Sequence, residues 1–169
     1  MINQNKVIYR EIQRPRQLWL WLLILLITIL MWYGFIQQII IGVPFGDKPA
    51  PDAVFVALWF VFGIVFPIFM LKIKLIIEVR DDGLYIRFMP FHIRYKQFLH
   101  KDIEHYESII YSSFERFGGW GIRTNLKGET AYNMNGKQGL EFKLRNQTVV
   151  IGTQKPKELQ RAMDSLDKS

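Results

Sequence analysis

The chain has 169 residues, half of them hydrophobic and 15% aromatic, and its 22 Lys and Arg against 15 Asp and Glu give a formal net charge of +7. It contains no cysteine, which excludes a disulfide scaffold, a thiolate metal site and a cysteine nucleophile. The hydrophobic content excludes a disordered chain, and the length allows one ordinary domain or a small domain with an additional segment.

Two long uncharged segments dominate the first half of the chain. Residues 18–41 contain no charged side chain, and neither do residues 53–71. A helix rises about 1.5 Å per residue, so about 20 apolar residues cross a hydrocarbon layer of about 30 Å. A chain this short has too little remaining mass to enclose two such helices in a soluble core. The segments therefore predict two transmembrane helices, joined by a loop at 42–52 that is rich in proline and glycine.

Positive charge flanks the two apolar segments on one side. The N-terminal residues 1–17 contain four Lys or Arg, the loop at 42–52 contains one, and residues 72–80 contain three. Because Lys and Arg concentrate on the cytoplasmic side of membrane proteins, we expect both termini in the cytoplasm and the loop outside. The sequence thus predicts a multi-pass protein of the cell membrane, with a basic cytoplasmic N-terminus and a cytoplasmic domain at 72–169.

Apolar and polar side chains alternate with the period of β-strands through most of residues 72–169. Turn-forming residues divide this stretch at short intervals, and Asn135-Gly136 is typical of a tight hairpin. We predict antiparallel strands at 74–80, 84–89, 92–98, 103–111, 120–124, 129–133 and 139–144, with a further candidate at 148–152.

The period changes near the C-terminus. Leu159, Ala162, Met163 and Leu166 recur at the spacing of one helix face, and Pro156 suits a first helical turn. Such a helix can cover the open end of a small barrel or sandwich. The predicted fold class is α+β: a two-helix transmembrane hairpin, then a small antiparallel β-barrel, then a C-terminal helix.

Several motifs resemble a family of small, uncharacterised prokaryotic membrane proteins, catalogued as a domain of unknown function. They include GGWGIR at 118–123, AYNMNGKQGLEFKL at 131–144 and IGTQKPKEL at 151–159, and the resemblance extends over nearly the whole chain. The C-terminal part of that family resembles bacterial pleckstrin-homology-like domains, which have seven antiparallel strands in a partly open barrel capped by a helix. The resemblance implies this fold but no activity, because fold does not determine function. It does not imply phosphoinositide binding, since Arg80 and Arg87 do not match the eukaryotic basic pattern.

Basic and aromatic residues of the predicted domain are candidates for contact with lipid or a partner. His92, Arg94 and Lys96 share one face of the predicted strand 92–98. Near an anionic leaflet each basic side chain contributes on the order of 1 kcal/mol of attraction. A solvated strand face and a packing role for the Trp are the alternatives. The full set of candidates is Arg80, Arg87, His92, Arg94, Lys96, Trp120 and Arg123. The neighbouring turn at 88–91 is apolar and suits either the membrane interface or the core.

Residues 100–107, HKDIEHYE, contain side chains that bind metals, but not the two His at i and i+4 of a zinc helix. We therefore predict no metal, no cofactor and no catalytic residue. The predicted function is a membrane-anchored, non-enzymatic binding or scaffold module that contacts lipid headgroups or a protein partner. Two alternatives stay open: an accessory subunit of a larger membrane complex, and an enzyme at the membrane surface. Nucleic-acid binding is not predicted, since the basic residues beside the helices account for part of the positive charge.

Overall fold

Both apolar segments of the sequence form helices in this computed structural model, which describes residues 6–168. Residues 1–5 of the predicted N-terminal segment and Ser169 lie outside the described part. The chain divides into a helical unit, residues 17–72, and a globular unit that combines residues 6–16 with residues 73–168. The two parts of the globular unit are therefore separated in sequence by the whole helical unit.

The helical unit contains α1 (Leu18–Ile40) and α2 (Asp52–Lys72), which have mean hydropathies of 2.2 and 2.7. Both helices are long and apolar enough to cross a membrane, so the two apolar helices of the predicted fold class are confirmed. Only 11% of the most apolar window of each helix is buried. Each helix contains a wide π-helical turn, at Ile36–Ile40 in α1 and at Phe60–Val65 in α2.

Aromatic side chains and small residues join α1 to α2. The indole Nε1 of Trp32 donates a hydrogen bond of 3.1 Å to the carbonyl oxygen of Gly63. Phe35 stacks on Trp59 with ring centroids 3.9 Å apart. A methyl group at Gly34 of α1 would lie 2.6 Å from the Phe55 ring of α2, so glycine permits this close approach.

Gln38 attaches the connecting loop to the end of α1. Its buried side-chain amide donates hydrogen bonds of 2.8 Å to the carbonyl oxygen of Ala50 and to Oδ1 of Asp52. Its oxygen accepts a hydrogen bond of 3.4 Å from the backbone N–H of Phe45. The start of α2 is thus held against the end of α1.

Two sheets form the globular unit. The first sheet has the antiparallel order β1-β2-β3-β4, with β1 (Val7–Gln13), β2 (Lys74–Arg80), β3 (Gly83–Met89) and β4 (Lys96–Leu99). The second has the order β5-β8-β9-β7-β6, with β5 (Ile103–Ile110), β6 (Gly121–Thr124), β7 (Thr130–Asn133), β8 (Gln138–Leu144) and β9 (Gln147–Gly152). All its pairs are antiparallel except β7 with β9, which is parallel. The remaining helices are the short α3 (Ser113–Phe117) and the C-terminal α4 (Pro156–Asp164).

Alternate side chains of the strands and one face of α4 form a single core. On β2 the inward residues are Leu75, Ile77 and Val79, all completely buried. Leu159 and Met163 of α4 are also completely buried and belong to the same cluster. The amphipathic C-terminal helix predicted from its apolar spacing is therefore confirmed.

The predicted small antiparallel β-barrel is present only as two separate, mostly antiparallel sheets, which do not close into a barrel. In the described part of the chain, β4 pairs only with β3 and β5 pairs only with β8. A single helical turn, His100–Asp102, carries the chain from the first sheet to the second, so no ladder of hydrogen bonds joins their edges. Instead α4 contacts strands of both sheets, which closes the core by side-chain packing.

The N-terminal segment before α1 contains a strand that the sequence analysis did not predict. β1 pairs antiparallel with β2, with Arg10 opposite Glu78 and Ile12 opposite Ile76. Its sequence, VIYREIQ, is rich in the β-branched and aromatic residues that favour strands. Its partner lies beyond both apolar helices, so the pairing is visible only in the tertiary structure.

Two other local predictions differ from the structure. Of the predicted strand 92–98 only the last part belongs to β4, and residues 90–95 form a loop that begins at Pro90, which has no N–H for a ladder. The predicted Asn135-Gly136 hairpin is wrong, because β9 lies between β7 and β8. The Asn135 side chain instead donates to the carbonyl oxygen of Arg14, at 2.7 Å, and accepts from the N–H of Arg16, at 3.2 Å. It thereby holds the segment that leads to α1.

Candidate functional site

The seven candidate contact residues occupy three places in the globular unit. These are β2 and β3, with Arg80 and Arg87; the loop at 90–95 and the start of β4, with His92, Arg94 and Lys96; and the start of β6, with Trp120 and Arg123. Within residues 6–168, no hydrogen bond, ion pair or ring contact joins the third place to the other two.

A buried carboxylate organises the outward face of the first sheet. Glu78 points away from the core yet is almost completely buried, because three donors surround it. Its oxygens lie 3.1 Å from Nε of Arg10, 2.7 Å from Nη2 of Arg80 and 2.8 Å from the hydroxyl of Tyr95. A buried carboxylate requires such compensation, since an unpaired buried charge is strongly unfavourable.

The Arg80 side chain is bound within this cluster. Burial by itself lowers the pKa of Arg80, but the hydrogen bonds and negative charge of Glu78 outweigh that effect and raise it above its ordinary value. The guanidinium also lies over the rings of Tyr85, at 4.3 Å, and Tyr95, at 5.0 Å. Burial, followed by the hydrogen bond and charge of Glu78, raises the pKa of Tyr95. The sheet therefore uses this cation to neutralise its own carboxylate.

His92 and Arg87 hold the loop at 90–95 in shape. The Nδ1 atom of His92 accepts a hydrogen bond of 3.3 Å from the backbone N–H of Phe88. The carbonyl oxygen of His92 accepts one of 3.2 Å from Nε of Arg87, whose guanidinium lies 5.7 Å from the Tyr95 ring centroid. Burial, and secondly the charge of Lys96, lowers the pKa of His92. At neutral pH the imidazole is therefore uncharged and acts as a hydrogen-bond acceptor inside the loop.

Lys96 is bound to a buried tyrosine. Its ammonium group donates a hydrogen bond of 2.8 Å to the hydroxyl of Tyr132, which belongs to the core, and lies 5.4 Å from the centre of the same ring. The His92 ring lies 5.9 Å from that ring as well. This contact joins the start of β4 to β7 of the second sheet, so Lys96 connects the two sheets.

Arg94 differs from the other basic candidates. It is exposed, and its guanidinium has no hydrogen bond or ion pair in the part of the chain that the structure describes. It lies beside two exposed apolar residues, Phe91 and Ile93, whose exposed fractions are 61% and 86%. The predicted strand 92–98 would turn Ile93 inward, on the face opposite Arg94, but the structure exposes it. The loop therefore presents apolar surface and a free positive charge together.

The strand register places this loop at one particular end of the first sheet. Met89, the last residue of β3 before the loop, pairs with Lys74, the first residue of β2. Gln13, the last residue of β1, pairs with Leu75. The chain therefore leaves for α1 and returns from α2 at the same end of the sheet that carries the loop.

Trp120 and Arg123 form a separate local contact. The Trp120 ring packs edge-on against Phe114 of α3, with centroids 4.7 Å apart. Nε of Arg123 donates a hydrogen bond of 3.2 Å to the backbone carbonyl of Trp120. Trp120 is half-buried and outside the main core, so its place in the structure is at the rim of the second sheet.

The acidic and histidine-containing segment at 100–107 meets the C-terminal helix in a cleft of about 390 Å³. Nε2 of His100 lies 3.0 Å from Oδ1 of Asp167, and the hydroxyl of Tyr106 donates to Asp164, at 2.8 Å, and to Asp167, at 2.9 Å. Burial and these two carboxylates raise the pKa of Tyr106. Among the described residues no three His, Asp or Glu side chains are grouped as they would be to hold a metal ion. The carboxylates here attach the end of α4 to β5.

A second buried carboxylate, Glu11, was like Glu78 not predicted from the sequence. Glu11 of β1 accepts hydrogen bonds from the hydroxyl of Tyr9, Nε2 of Gln13, the hydroxyl of Thr153 and the backbone N–H of Gln154. It thereby attaches β1 to the segment before α4. The available indication was the period-two pattern of VIYREIQ, which places a charged residue on the same face as Tyr9.

Comparison with protein families gives a match over nearly the whole chain. The profile of a family of unknown function, DUF6141, matches residues 2–169. The chain belongs to this family. The predicted membership of a family without an assigned activity is thereby confirmed, whereas the match carries no information about a membrane or about a pleckstrin-homology-like fold. No curated protein and no solved structure gave a significant match.

Proposed function

We propose that the protein is a membrane-anchored, non-enzymatic binding or scaffold module, in which α1 and α2 cross the cell membrane. The main support is that both helices are strongly apolar, and yet only 11% of the most apolar stretch of each helix is buried. A core helix of a soluble protein buries most of such surface, whereas lipid covers it in a membrane. The globular unit meanwhile has a core of its own.

The pairing of β1 with β2 supports a hairpin topology. These strands flank the helical unit in sequence and are neighbours in one sheet. Two paired strands must lie on the same side of a membrane, so the chain between them crosses it an even number of times. Two helices of membrane-spanning length meet that condition.

The charges beside the helices favour the cytoplasm as that side. Arg14 and Arg16 precede α1, and Lys72 and Lys74 follow or end α2, whereas Lys48 is the one basic residue of the connecting loop. We therefore propose that the globular unit lies at the inner leaflet and the loop lies outside. The resemblance to pleckstrin-homology-like domains stays part of this proposal, on the basis of two mostly antiparallel sheets followed by a C-terminal helix.

The non-enzymatic part of the proposal is supported by the use that the structure makes of its ionisable groups. Glu11, Glu78 and Asp167 are each engaged by internal donors, as described above. Of the basic candidates, Arg80 and Lys96 are engaged as well. The loop at 90–95 is the part of the first sheet that stays available for contact with lipid or a protein partner.

Cysteine labelling tests the topology directly, because the natural chain has no cysteine. Asp47→Cys places a thiol in the loop, and Glu104→Cys places one at an exposed position of β5. In intact cells a membrane-impermeant maleimide should label the first variant, and it should label the second only after the membrane is permeabilised. The reverse pattern, or recovery of the protein in the soluble fraction after alkaline extraction, would refute the proposed topology.

A further inference from the structure

We propose that the loop at 90–95 inserts Phe91 and Ile93 into the interface of the cytoplasmic leaflet and places Arg94 among anionic headgroups. This inference rests on the proposed function, because it requires the helices to hold the globular unit at that leaflet. It adds a second membrane contact, made by the globular unit itself, with an anionic lipid surface as the partner.

The loop combines the side chains that such a contact needs. Single exposed apolar residues are ordinary on protein surfaces, but Phe91 and Ile93 are two residues apart in one projecting loop and are 61% and 86% exposed. Between and beside them stand His92, which turns inward to Phe88, and Arg94, which has no partner among the described residues. Aromatic and aliphatic side chains with a cationic neighbour are typical of segments that lie in a membrane interface.

The position of the loop favours the leaflet over any other occupant. Lys74, opposite Met89 at the foot of the loop, follows the last residue of α2 after a single intervening residue. The end of the sheet that carries the loop is thus the end from which the chain passes into both apolar helices. If those helices lie in a membrane, the same membrane is the apolar phase that this end of the sheet can contact.

The charges along the first sheet have the matching polarity. Arg94 and Lys74 lie at the end that carries the loop, whereas Asp81 and Asp82 form the turn at the opposite end, between β2 and β3. An anionic leaflet therefore attracts the first end more strongly than the second, where Lys6 offsets one of the two carboxylates. Arg80 pairs with Glu78, Arg87 with the His92 carbonyl and Lys96 with Tyr132. Arg94 is therefore the basic candidate in this region whose side chain has no partner among the described residues and is free to bind headgroups.

The loop is held in the exposed conformation before any lipid binds. The bond from Phe88 to Nδ1 of His92 and the bond from Arg87 to the His92 carbonyl fix its centre. The bond from the Tyr95 hydroxyl to Glu78 fixes its end. Insertion therefore requires little ordering of the backbone, and preorganised contacts of this kind bind more tightly than flexible ones.

The test uses the full chain, reconstituted in nanodiscs of phosphatidylcholine alone or mixed with phosphatidylglycerol. Three single-cysteine variants carry an environment-sensitive fluorophore: Ile93→Cys in the loop, Asp81→Cys at the opposite end of the sheet, and Leu26→Cys on the exposed side of α1. Quenchers attached to the lipid tails and quenchers dissolved in water then report the surroundings of each label.

We expect lipid-attached quenchers to quench the labels at positions 26 and 93 but not the label at 81. If the label at 93 is as accessible from water as the label at 81 while the label at 26 lies in lipid, the inference is wrong and the membrane anchor stands. If the label at 26 is itself in water, both proposals fail.

A charge reversal tests the part played by anionic lipid. Arg94→Glu in the Ile93→Cys background should lower the equilibrium constant for insertion of the loop roughly 30-fold in anionic nanodiscs. The substitution changes the charge of the loop by two units, and each unit contributes about fivefold. The same substitution should have little effect in neutral nanodiscs. An equal effect in both kinds of disc would refute the assignment of Arg94 to anionic headgroups.

Discussion

Removal of the Glu11 carboxylate is expected to loosen β1 from the rest of the globular unit. In Glu11→Ala the hydroxyl of Thr153 and the backbone N–H of Gln154 lose their acceptor, although they lie more than 140 residues away in sequence. The hydroxyl of Tyr9 and the amide of Gln13 lose the same partner within β1. The ladder between β1 and β2 is unchanged by the substitution, so the effect isolates the attachment to the segment before α4.

The magnitude follows from the burial of the donors. Hydrogen bonds to charged groups contribute about 1.5–3 kcal/mol each, but a donor that reaches water after the substitution recovers most of that amount. Thr153 is buried, whereas Gln154 and Tyr9 have access to solvent. We therefore expect one full loss and several partial ones, about 2–3 kcal/mol in total. If β1 opens as a local unit, its amide protons should exchange about 30- to 150-fold faster.

Hydrogen–deuterium exchange of the full chain in nanodiscs, followed by mass spectrometry of peptides that cover β1, measures this effect. Glu11→Gln keeps the shape and one acceptor oxygen, so its exchange rate should lie between those of Glu11→Ala and the natural chain. Glu104→Ala, at an exposed position of β5, is the control and should change stability by less than about 0.5 kcal/mol. An exchange rate in Glu11→Ala equal to that of the control would refute the role given to Glu11.

Three further outcomes are expected. The hydrogen bond from Arg116 outweighs burial and holds the pKa of Glu129 below its ordinary value. The pair therefore stabilises the fold above about pH 4.5, and this contribution is lost as the pH falls through the folded-state pKa. Arg116→Gln should therefore lessen the loss of thermal stability on acidification. Gly139→Ala should lower the free energy of unfolding by about 1–3 kcal/mol, because its methyl group would lie 2.7 Å from a backbone carbonyl of β9. Trp32→Phe, which removes the hydrogen bond to Gly63, should destabilise the helix pair by about 0.6 and at most about 1.7 kcal/mol in detergent unfolding.

Each of these variants has a matched control. Arg123→Gln removes an exposed Arg whose hydrogen-bond partner among the described residues is a backbone carbonyl, so it should keep the natural pH profile. Ser108→Ala, on the exposed side of β5, should leave the unfolding free energy unchanged, in contrast to Gly139→Ala. Trp19→Phe removes an exposed indole near the start of α1 and should leave the helix pair as stable as before. A test variant that behaves like its control contradicts the corresponding contact.

The candidate site was only partly accessible to sequence reasoning. The types of residue were predictable, and Glu78 and Arg80 are two positions apart, which places them on one face of a strand. The burial of Glu78 also depends on Tyr95, which reaches it from the far end of the loop at 90–95. The same loop was predicted as a strand, because its alternation of apolar and basic residues is the ordinary mark of a half-buried strand. Pro90 and the exposure of Phe91 and Ile93 show that the alternation here belongs to a surface loop and not to a half-buried strand.

The sequence by itself determined the features whose cause lies within a single segment of the chain. The two apolar helices follow from an uninterrupted run of uncharged residues, β2 and β3 follow from period-two alternation around Asp81-Asp82-Gly83, and α4 follows from a helical apolar stripe. The tertiary structure alone decided which strands are neighbours: β1 joins β2 across the helical unit, β9 separates β7 from β8, and the two sheets do not close into a barrel. Strand pairing depends on contacts between segments far apart in sequence, and a local pattern specifies the face of a strand without specifying its partner.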